Sequence, residues 1–223
     1  MEENGDNNEK EENEGIKPIS IKIALLGNSG VGKTCIIQRY NLGEFSENSI
    51  STKGASYSNK IIEKNGKIYQ LDIWDTAGQE QYRSIGRHFY KNAYIIILVY
   101  DITVRKSFED LKIWCDDLSK NGEKYTILAI VGNKSDLYEK EEITEEEGIN
   151  FAKGKNALFM LVSAKNGNNI ENLFNDVLGL YLDPDFQIKV DEMSQRDNGS
   201  IKIRKKTKYE EEKFKKSKKG KCC

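Results

Sequence analysis

Apolar positions along the chain follow two rhythms. Ile19 to Leu26 is a partly alternating apolar run that ends at a glycine, which predicts a strand. Ala55 to Glu63 and Lys67 to Trp74 alternate polar and apolar, and Asn65-Gly66 between them is the strongest short hairpin signal. Tyr94 to Tyr100, Ile127 to Val131 and Leu158 to Val162 are short continuous apolar runs, as expected of strands buried on both faces. Helical stretches separate them: Lys33 to Leu42, Ser107 to Lys120, Glu145 to Lys153 and Ile170 to Leu182. Pro184 is expected to stop the last, because proline lacks the amide hydrogen that a continuing helix uses. Strands alternating with helices predict an α/β sheet, mostly parallel, with one antiparallel hairpin strand.

Charge divides the chain into three. The whole carries a net charge of −1, but residues 1–18 hold seven acidic side chains against Lys10 and Lys17. Between Lys202 and Lys221 the net is +8. Blocks of like charge repel and build no core, so both ends are expected to be disordered. The expected organisation is an acidic extension over 1–18, one folded domain over 19–182 and a flexible tail over 183–223. No apolar run is long enough to span a bilayer, and the acidic N-terminus is unlike a secretory or transit peptide. Glu2 excludes N-myristoylation. Cys35, Cys115, Cys222 and Cys223 suit neither a zinc site nor a disulfide framework, which points to a cytosolic protein with reduced thiols.

Gly27-Asn28-Ser29-Gly30-Val31-Gly32-Lys33-Thr34 fits G-x-x-x-x-G-K-[ST] and lies between the first strand and the first helix. Such a loop wraps a phosphate chain with its backbone amides, and the helix N-terminus adds its positive dipole end. Lys33 is expected to reach the β- and γ-phosphates, and the Thr34 hydroxyl to ligate Mg²⁺. The binding stretch runs from Ser29 through Gly30, Val31, Gly32, Lys33 and Thr34 to Cys35. The motif alone specifies phosphate and leaves the nucleotide open. After the third strand, Asp75 is the candidate for the second Mg²⁺ tether. Gly78 can let the backbone approach a γ-phosphate, and Gln79 can orient an attacking water. Read by itself, Asp-Thr-Ala-Gly is an ordinary polar turn.

These segments, with Asn133-Lys134-Ser135-Asp136 and Ser163-Ala164-Lys165, stand in the order and spacing of Ras-superfamily small GTPases, which the chain resembles from about Ile19 to Leu182. The resemblance implies a P-loop GTPase fold: a six-stranded sheet, five strands parallel, wrapped by five helices. Guanine offers two donors, N1–H and the 2-amino group, and one carboxylate accepts both; Asp136 therefore suits a guanine reader. By resemblance, Asn133 bonds the base and its neighbouring loops, the stem of Lys134 packs on the ring, and the Ala164 amide meets the guanine carbonyl. Phe45 falls where the family places an aromatic residue across the base, and Ser163 and Lys165 complete the site. Glu44 to Gly54 corresponds to a switch loop, with Thr52 reaching both Mg²⁺ and the γ-phosphate. Lys33, Thr52 and Gln79 are thus the expected catalytic residues, and Thr34, Thr52 and Asp75 the expected Mg²⁺ ligands.

Only 18 residues lie between Lys33 and Thr52, too few for a helical insertion domain, and no arginine just precedes Thr52. Intrinsic hydrolysis is therefore expected to be slow and to need an activating protein. Lys53 departs from the family's usual aliphatic residue. The terminal Cys222-Cys223 is no C-a-a-X box and resembles Rab proteins, which implies two geranylgeranyl groups assisted by the basic tail. Arg83 to Tyr90 also looks Rab-like, and Gly54-Ala55-Ser56-Tyr57 resembles the endosomal branch. The implied place is the cytoplasmic face of an intracellular membrane, endosomal or another vesicle compartment, in exchange with the cytosol. The implied partners are guanine nucleotide, exchange factor, activating protein, GDP-dissociation inhibitor, escort protein and effectors. No nucleic-acid partner is expected of this monomer. Cys35 and Cys115 read as small helix hydrophobes, and His88 is assigned no catalytic role. Two rivals stay open: a P-loop phosphotransferase, and a GTP-locked binding module that no longer cycles.

Overall fold

The computed structural model describes residues 17–47, 52, 54–76, 89–122 and 126–187. Six strands form one sheet: β1 (Ile19–Leu26), β2 (Ala55–Lys64), β3 (Lys67–Thr76), β4 (Ile95–Asp101), β5 (Ile127–Asn133) and β6 (Leu158–Leu161). Their order is β2-β3-β1-β4-β5-β6, with β2 antiparallel to β3 and the other pairs parallel. The helices are α1 (Lys33–Leu42), α2 (Arg105–Glu109), α3 (Leu111–Asn121), α4 (Glu145–Lys153) and α5 (Ile170–Tyr181), with a 3₁₀ turn at Ser135–Lys140. The sequence expectation of an α/β sheet with a single antiparallel hairpin strand is met.

Burial explains the two rhythms. All seven residues of β4 are buried, which its continuous run Ile-Ile-Ile-Leu-Val-Tyr requires. β3 and the antiparallel β2 alternate, because one of their faces meets water. Helices close over both sides: Tyr40 of α1 stacks on Phe174 of α5 with ring centroids 3.7 Å apart. Fully burying a side chain such as Phe174 or Leu173 contributes roughly 1.5–3 kcal/mol.

One sequence expectation needs correction. The single helix expected over Ser107 to Lys120 starts earlier, at Arg105, and divides at Asp110. The Asp110 carboxylate is buried and accepts from Asn28 Nδ2 at 2.7 Å and from Lys106 Nζ at 2.8 Å. The division falls where this side chain ties the helix to the loop after β1. α5 ends at Tyr181 with Leu182 as its C-cap, one residue from the expected end, and Pro184 follows two residues beyond that cap, where a proline bars the helix from continuing. Pro184 also opens a short turn over 184–187, capped by Asp183 Oδ1, which accepts from the amides of Asp185 and Phe186 at 2.8 and 3.3 Å. Proline suits such a first position, where its missing amide hydrogen costs nothing.

The buried polar side chains collect at one edge of the sheet. Thr76 ends β3, Asp101 ends β4 and Asn133 ends β5, while Lys33, Asp75 and Ser163 lie beside them. The strand bodies are apolar and the strand ends are charged or amidic. In open α/β sheets, ligands bind at the carboxyl ends of strands where the order reverses. Here β1 has β3 on one side and β4 on the other.

Candidate functional site

Loops at that edge, with the segment between α1 and β2, enclose a cleft of about 340 Å³. It is lined by Ser29, Gly30, Gly32, Lys33, Thr34 and Cys35 at one end, and by Asn133, Lys134, Asp136, Ala164 and Lys165 at the other. Phe45 and Thr52 complete the lining from the α1–β2 segment. Val31 and Ser163 act from behind the wall, both buried. Gly78, Gln79, Lys53, His88, residues 83–88 and the terminal Cys222 and Cys223 lie outside the described residues.

The phosphate loop has the backbone its glycines allow. Gly32 has φ 95°, and a Cβ there would collide with the side-chain amide of Asn133. Gly27, at φ 141°, passes so close to the Val99 carbonyl that no side chain fits. Lys33 is buried and donates to the carbonyls of Gly27 at 2.8 Å and Asn28 at 2.9 Å. Burial pushes its pKa down to about 8, against the opposing pull of Asp75.

Three oxygens expected on a cation meet beside it. Thr34 Oγ1 donates to Asp75 Oδ2 at 2.6 Å, and Thr52 Oγ1 lies 2.8 Å from Thr34 Oγ1 and 3.3 Å from the same carboxylate oxygen. Asp75 is almost wholly buried, and burial raises its pKa, opposed by the Thr34 hydrogen bond, the Lys33 charge and the Thr52 hydroxyl. Its other oxygen, Oδ1, is buried and has no hydrogen-bond partner among the described residues. A buried orphan acceptor is costly, and a hard cation satisfies it. Among the described residues no cluster of three or more His, Cys, Asp or Glu could hold a metal by itself. Two hydroxyls and one carboxylate suit Mg²⁺, which keeps waters and completes its shell with substrate phosphates. The donor set therefore fits that ion.

The opposite end is cross-linked. Asn133 Nδ2 donates to the Val31 carbonyl at 2.8 Å, and its Oδ1 accepts from the Ala164 amide at 3.2 Å. The Ala164 amide, expected from the resemblance to face a guanine carbonyl, is thus engaged by Asn133. Ser163 Oγ donates to Asp136 Oδ1 at 2.5 Å, which aims the carboxylate. Lys134 adopts φ 66° and its ammonium reaches Asp101 Oδ2 at 2.5 Å, so its stem lies along the cleft wall. Lys165 pairs with Glu47 Oε1 at 2.8 Å. The adjoining Glu47 pulls the Lys165 pKa up, and Lys165 in turn lowers that of Glu47.

Sequence reasoning did not single out Asp101, Ser46, Glu47, Thr76 or Leu137. For Asp101 the signal was there: a carboxylate closing an otherwise apolar strand. Thr76, whose Oγ1 donates to the Leu25 carbonyl at 2.8 Å, adjoins Asp75. The others adjoin Phe45 and Asp136. Buried Cys115 fits the inert reading, since burial pushes its thiol pKa up.

The sequence profile describing the Ras family matches residues 22–182, most of the chain and every loop of this cleft. The chain belongs to the Ras family of small GTPases, in its Rab branch. Ras-related protein Rab-30 of Homo sapiens is 40% identical over 156 residues, which covers 70% of this chain and 77% of the relative. Ras-related protein Rab-11B of Dictyostelium discoideum is 38% identical over 179 residues, 80% of this chain and 81% of the relative. Ras-related protein RABA1h of Arabidopsis thaliana is 40% identical over 157 residues, 70% and 72%. Small GTPases of this family bind guanine nucleotide with Mg²⁺ and hydrolyse GTP, and Rab proteins belong to membrane traffic. No helix among the described residues of this Rab-family chain is long and apolar enough to cross a membrane.

Proposed function

We propose that this Rab-family GTPase is a membrane-trafficking switch whose output is the conformation of its α1–β2 segment. The observation that carries the reading is the position of Thr52, its hydroxyl 2.8 Å from Thr34 and 3.3 Å from Asp75. A residue delivered by a connecting segment thereby shares the acceptor that the phosphate-loop threonine uses. Mg²⁺ would be held by Thr34, Thr52 and Asp75, and it supplies charge neutralisation for the β- and γ-phosphates. Lys33 lies beside that corner and would bind the same phosphates. Loss of the γ-phosphate removes the partner that distinguishes GTP, and Thr52 is then free to leave.

Asp136 would read the N1–H and 2-amino donors of guanine, with Phe45 across the base and Lys134 along it. Gln79 would orient the attacking water. Hydrolysis is slow without an activating protein, because no arginine finger precedes Thr52. The test is single-turnover GTP hydrolysis with and without chelator. Slow, Mg²⁺-dependent turnover is expected, with Gln79→Leu still binding GTP but losing most of its intrinsic rate. ATP competing as well as GTP would overturn the assignment.

For the membrane end, Cys222 and Cys223 would each carry a geranylgeranyl group, fitted by an escort protein and transferase. A GDP-dissociation inhibitor, an exchange factor, an activating protein and effectors would govern the cycle. One prenyl chain holds reversibly and two hold firmly, while the +8 tail adds attraction to anionic lipid that salt weakens. A single Cys→Ser change should leave partial, salt-sensitive association with the cytoplasmic leaflet of a vesicle membrane, and the double change none. Unchanged binding by the double variant would place the anchor elsewhere.

A further inference from the structure

We infer that Arg39 is a positioning residue for guanine recognition, clamping the base-reading loop to the helix that begins at the phosphate loop. The inference rests on the guanine-reading assignment above. Arg39 stands on α1, six residues beyond Lys33, and its side-chain hydrogen bonds among the described residues go to neither the phosphate loop nor the cation corner. Its guanidinium forks three ways. Nε donates to the Ala164 carbonyl at 2.9 Å, one terminal nitrogen donates to the Lys165 carbonyl at 2.5 Å, and the other donates to the Gly43 carbonyl at 2.5 Å. The chain at Gly167 then folds over the same side chain, since a Cβ there would sit 3.7 Å from Arg39 Cδ.

A bland alternative is that Arg39 only caps α1, as basic residues near helix C-termini do. Its bond to Gly43 fits that role. The other two bonds do not, because they cross to a loop more than 120 residues away in sequence. Those carbonyls belong to Ala164 and Lys165, and the residue before them, Ser163, aims Asp136. Lys165 has a second tie, to Glu47, but both side chains are more than half exposed and such pairs contribute little. Charge-assisted bonds from a planar fork fix direction as well as distance, and of Arg39's two crossing bonds the one to Ala164 is part-buried while the one to Lys165 is exposed. The consequence is a defined spacing between the phosphate end and the base end of the cleft: α1 starts at the one and is pinned to the other.

Arginine's fork is the requirement, so lysine should replace it poorly. The experiment measures release of fluorescent GDP and of the inosine analogue, which lacks the 2-amino group, from full-length parent, R39A and R39K, in Mg²⁺. It also measures single-turnover hydrolysis of bound GTP. R39A is expected to release GDP about tenfold faster or more, and to narrow the gap between GDP and inosine diphosphate, as Asp136 loses its aim. R39K should recover less than half of the loss on a logarithmic scale. Hydrolysis of GTP already bound should change less than twofold, which a general loosening of the domain would not allow. Release from R39A within twofold of the parent overturns the inference, as does full recovery by lysine or a parallel fall in hydrolysis. If R39A does not fold, R39K decides: release indistinguishable from the parent overturns the clamp, and faster release with a narrowed gap supports it. Failure of the parent to prefer GDP over inosine diphosphate would instead sink the guanine-reading assignment itself.

Discussion

The two ends of the cleft are built on opposite principles. At the base end nearly every polar group is already spoken for within the protein. Asn133 joins the phosphate loop to Ala164, Ser163 holds Asp136, and Lys134 is paired with Asp101. At the phosphate end polar groups are crowded but not satisfied. Two threonine hydroxyls share one oxygen of Asp75, the other oxygen is buried with no partner among the described residues, and burial drives Lys33 down and Asp75 up in pKa. A satisfied network is rigid and specifies geometry; an unsatisfied one gains most from a ligand that brings charge. In the proposed function, recognition of the base would thus rest on preorganised residues, and the switch on the end that a phosphate and a cation would complete.

Substitutions can break this contrast. The largest effect is expected at Asp136. Changing it to Asn should cost GTP affinity roughly a hundredfold or more and move preference to xanthine nucleotides, because a site built for particular donors rejects the mismatch strongly. Competition between guanosine and xanthosine diphosphates measures it, and an unchanged preference would remove Asp136 from the base.

Asn133→Ala comes next. It deletes two buried hydrogen bonds and strands the Val31 carbonyl and Ala164 amide, so about 2–3 kcal/mol of stability should be lost. Denaturant unfolding with saturating GDP would read it. A loss under half a kcal/mol would mean that the base end is less cross-linked than its contacts suggest. Thr34→Asn should then weaken GTP about tenfold more than GDP, since the hydroxyl serves the cation that the γ-phosphate shares. Equal loss for both nucleotides would count against that role.

The smallest effect belongs to a control remote from both ends. Glu147 caps α4 through Thr144 and receives Arg105 at 2.6 Å, and the Arg105 hydrogen bond brings its pKa down to about 2. A depressed carboxylate stabilises the fold above its unfolded value of 4.5, and that contribution fades as pH falls toward 2. Glu147→Gln should therefore lower the melting temperature slightly at pH 7 and converge on the parent in acid. A gap that widened in acid would reverse the sign of this account.

How much of this was legible in the chain depended on the range of the interaction. Strand and helix positions were readable because the apolar rhythm reports burial directly, and β1, α1 and α4 begin and end where that rhythm does. The ends of β2, β3, β4 and β5 were read short, and that of β6 one residue long. Thr76, Asp101 and Asn133 are polar, and nothing in a polar residue's identity says that it continues a ladder. The phosphate loop was legible because its chemistry is local, and Asp136 and Ser163 were each named from their own short motifs, but the bond between them, 27 residues apart, was not. Arg39 was not legible, for its partner Lys165 lies 126 residues away and only the folded sheet brings them together; the carboxylate of Asp101 was visible at the end of an apolar strand, but its pairing with Lys134, 33 residues on, was not. The tie between Asp110 and Asn28, far upstream, is of the same kind.

Hydrogen exchange of the full-length protein, loaded with GDP or with a non-hydrolysable GTP analogue in Mg²⁺, tests the central contrast most directly. Peptides spanning 44–54 should be clearly better protected with the GTP analogue, because Thr52 then has the γ-phosphate and the cation to hold. Peptides spanning 162–168 should exchange alike in both states, pinned by Asn133 and Arg39 whichever nucleotide is bound. Equal protection of 44–54 in the two states, or a change at 162–168 as large as that at 44–54, would contradict the division of the cleft into a fixed reader and a ligand-completed switch.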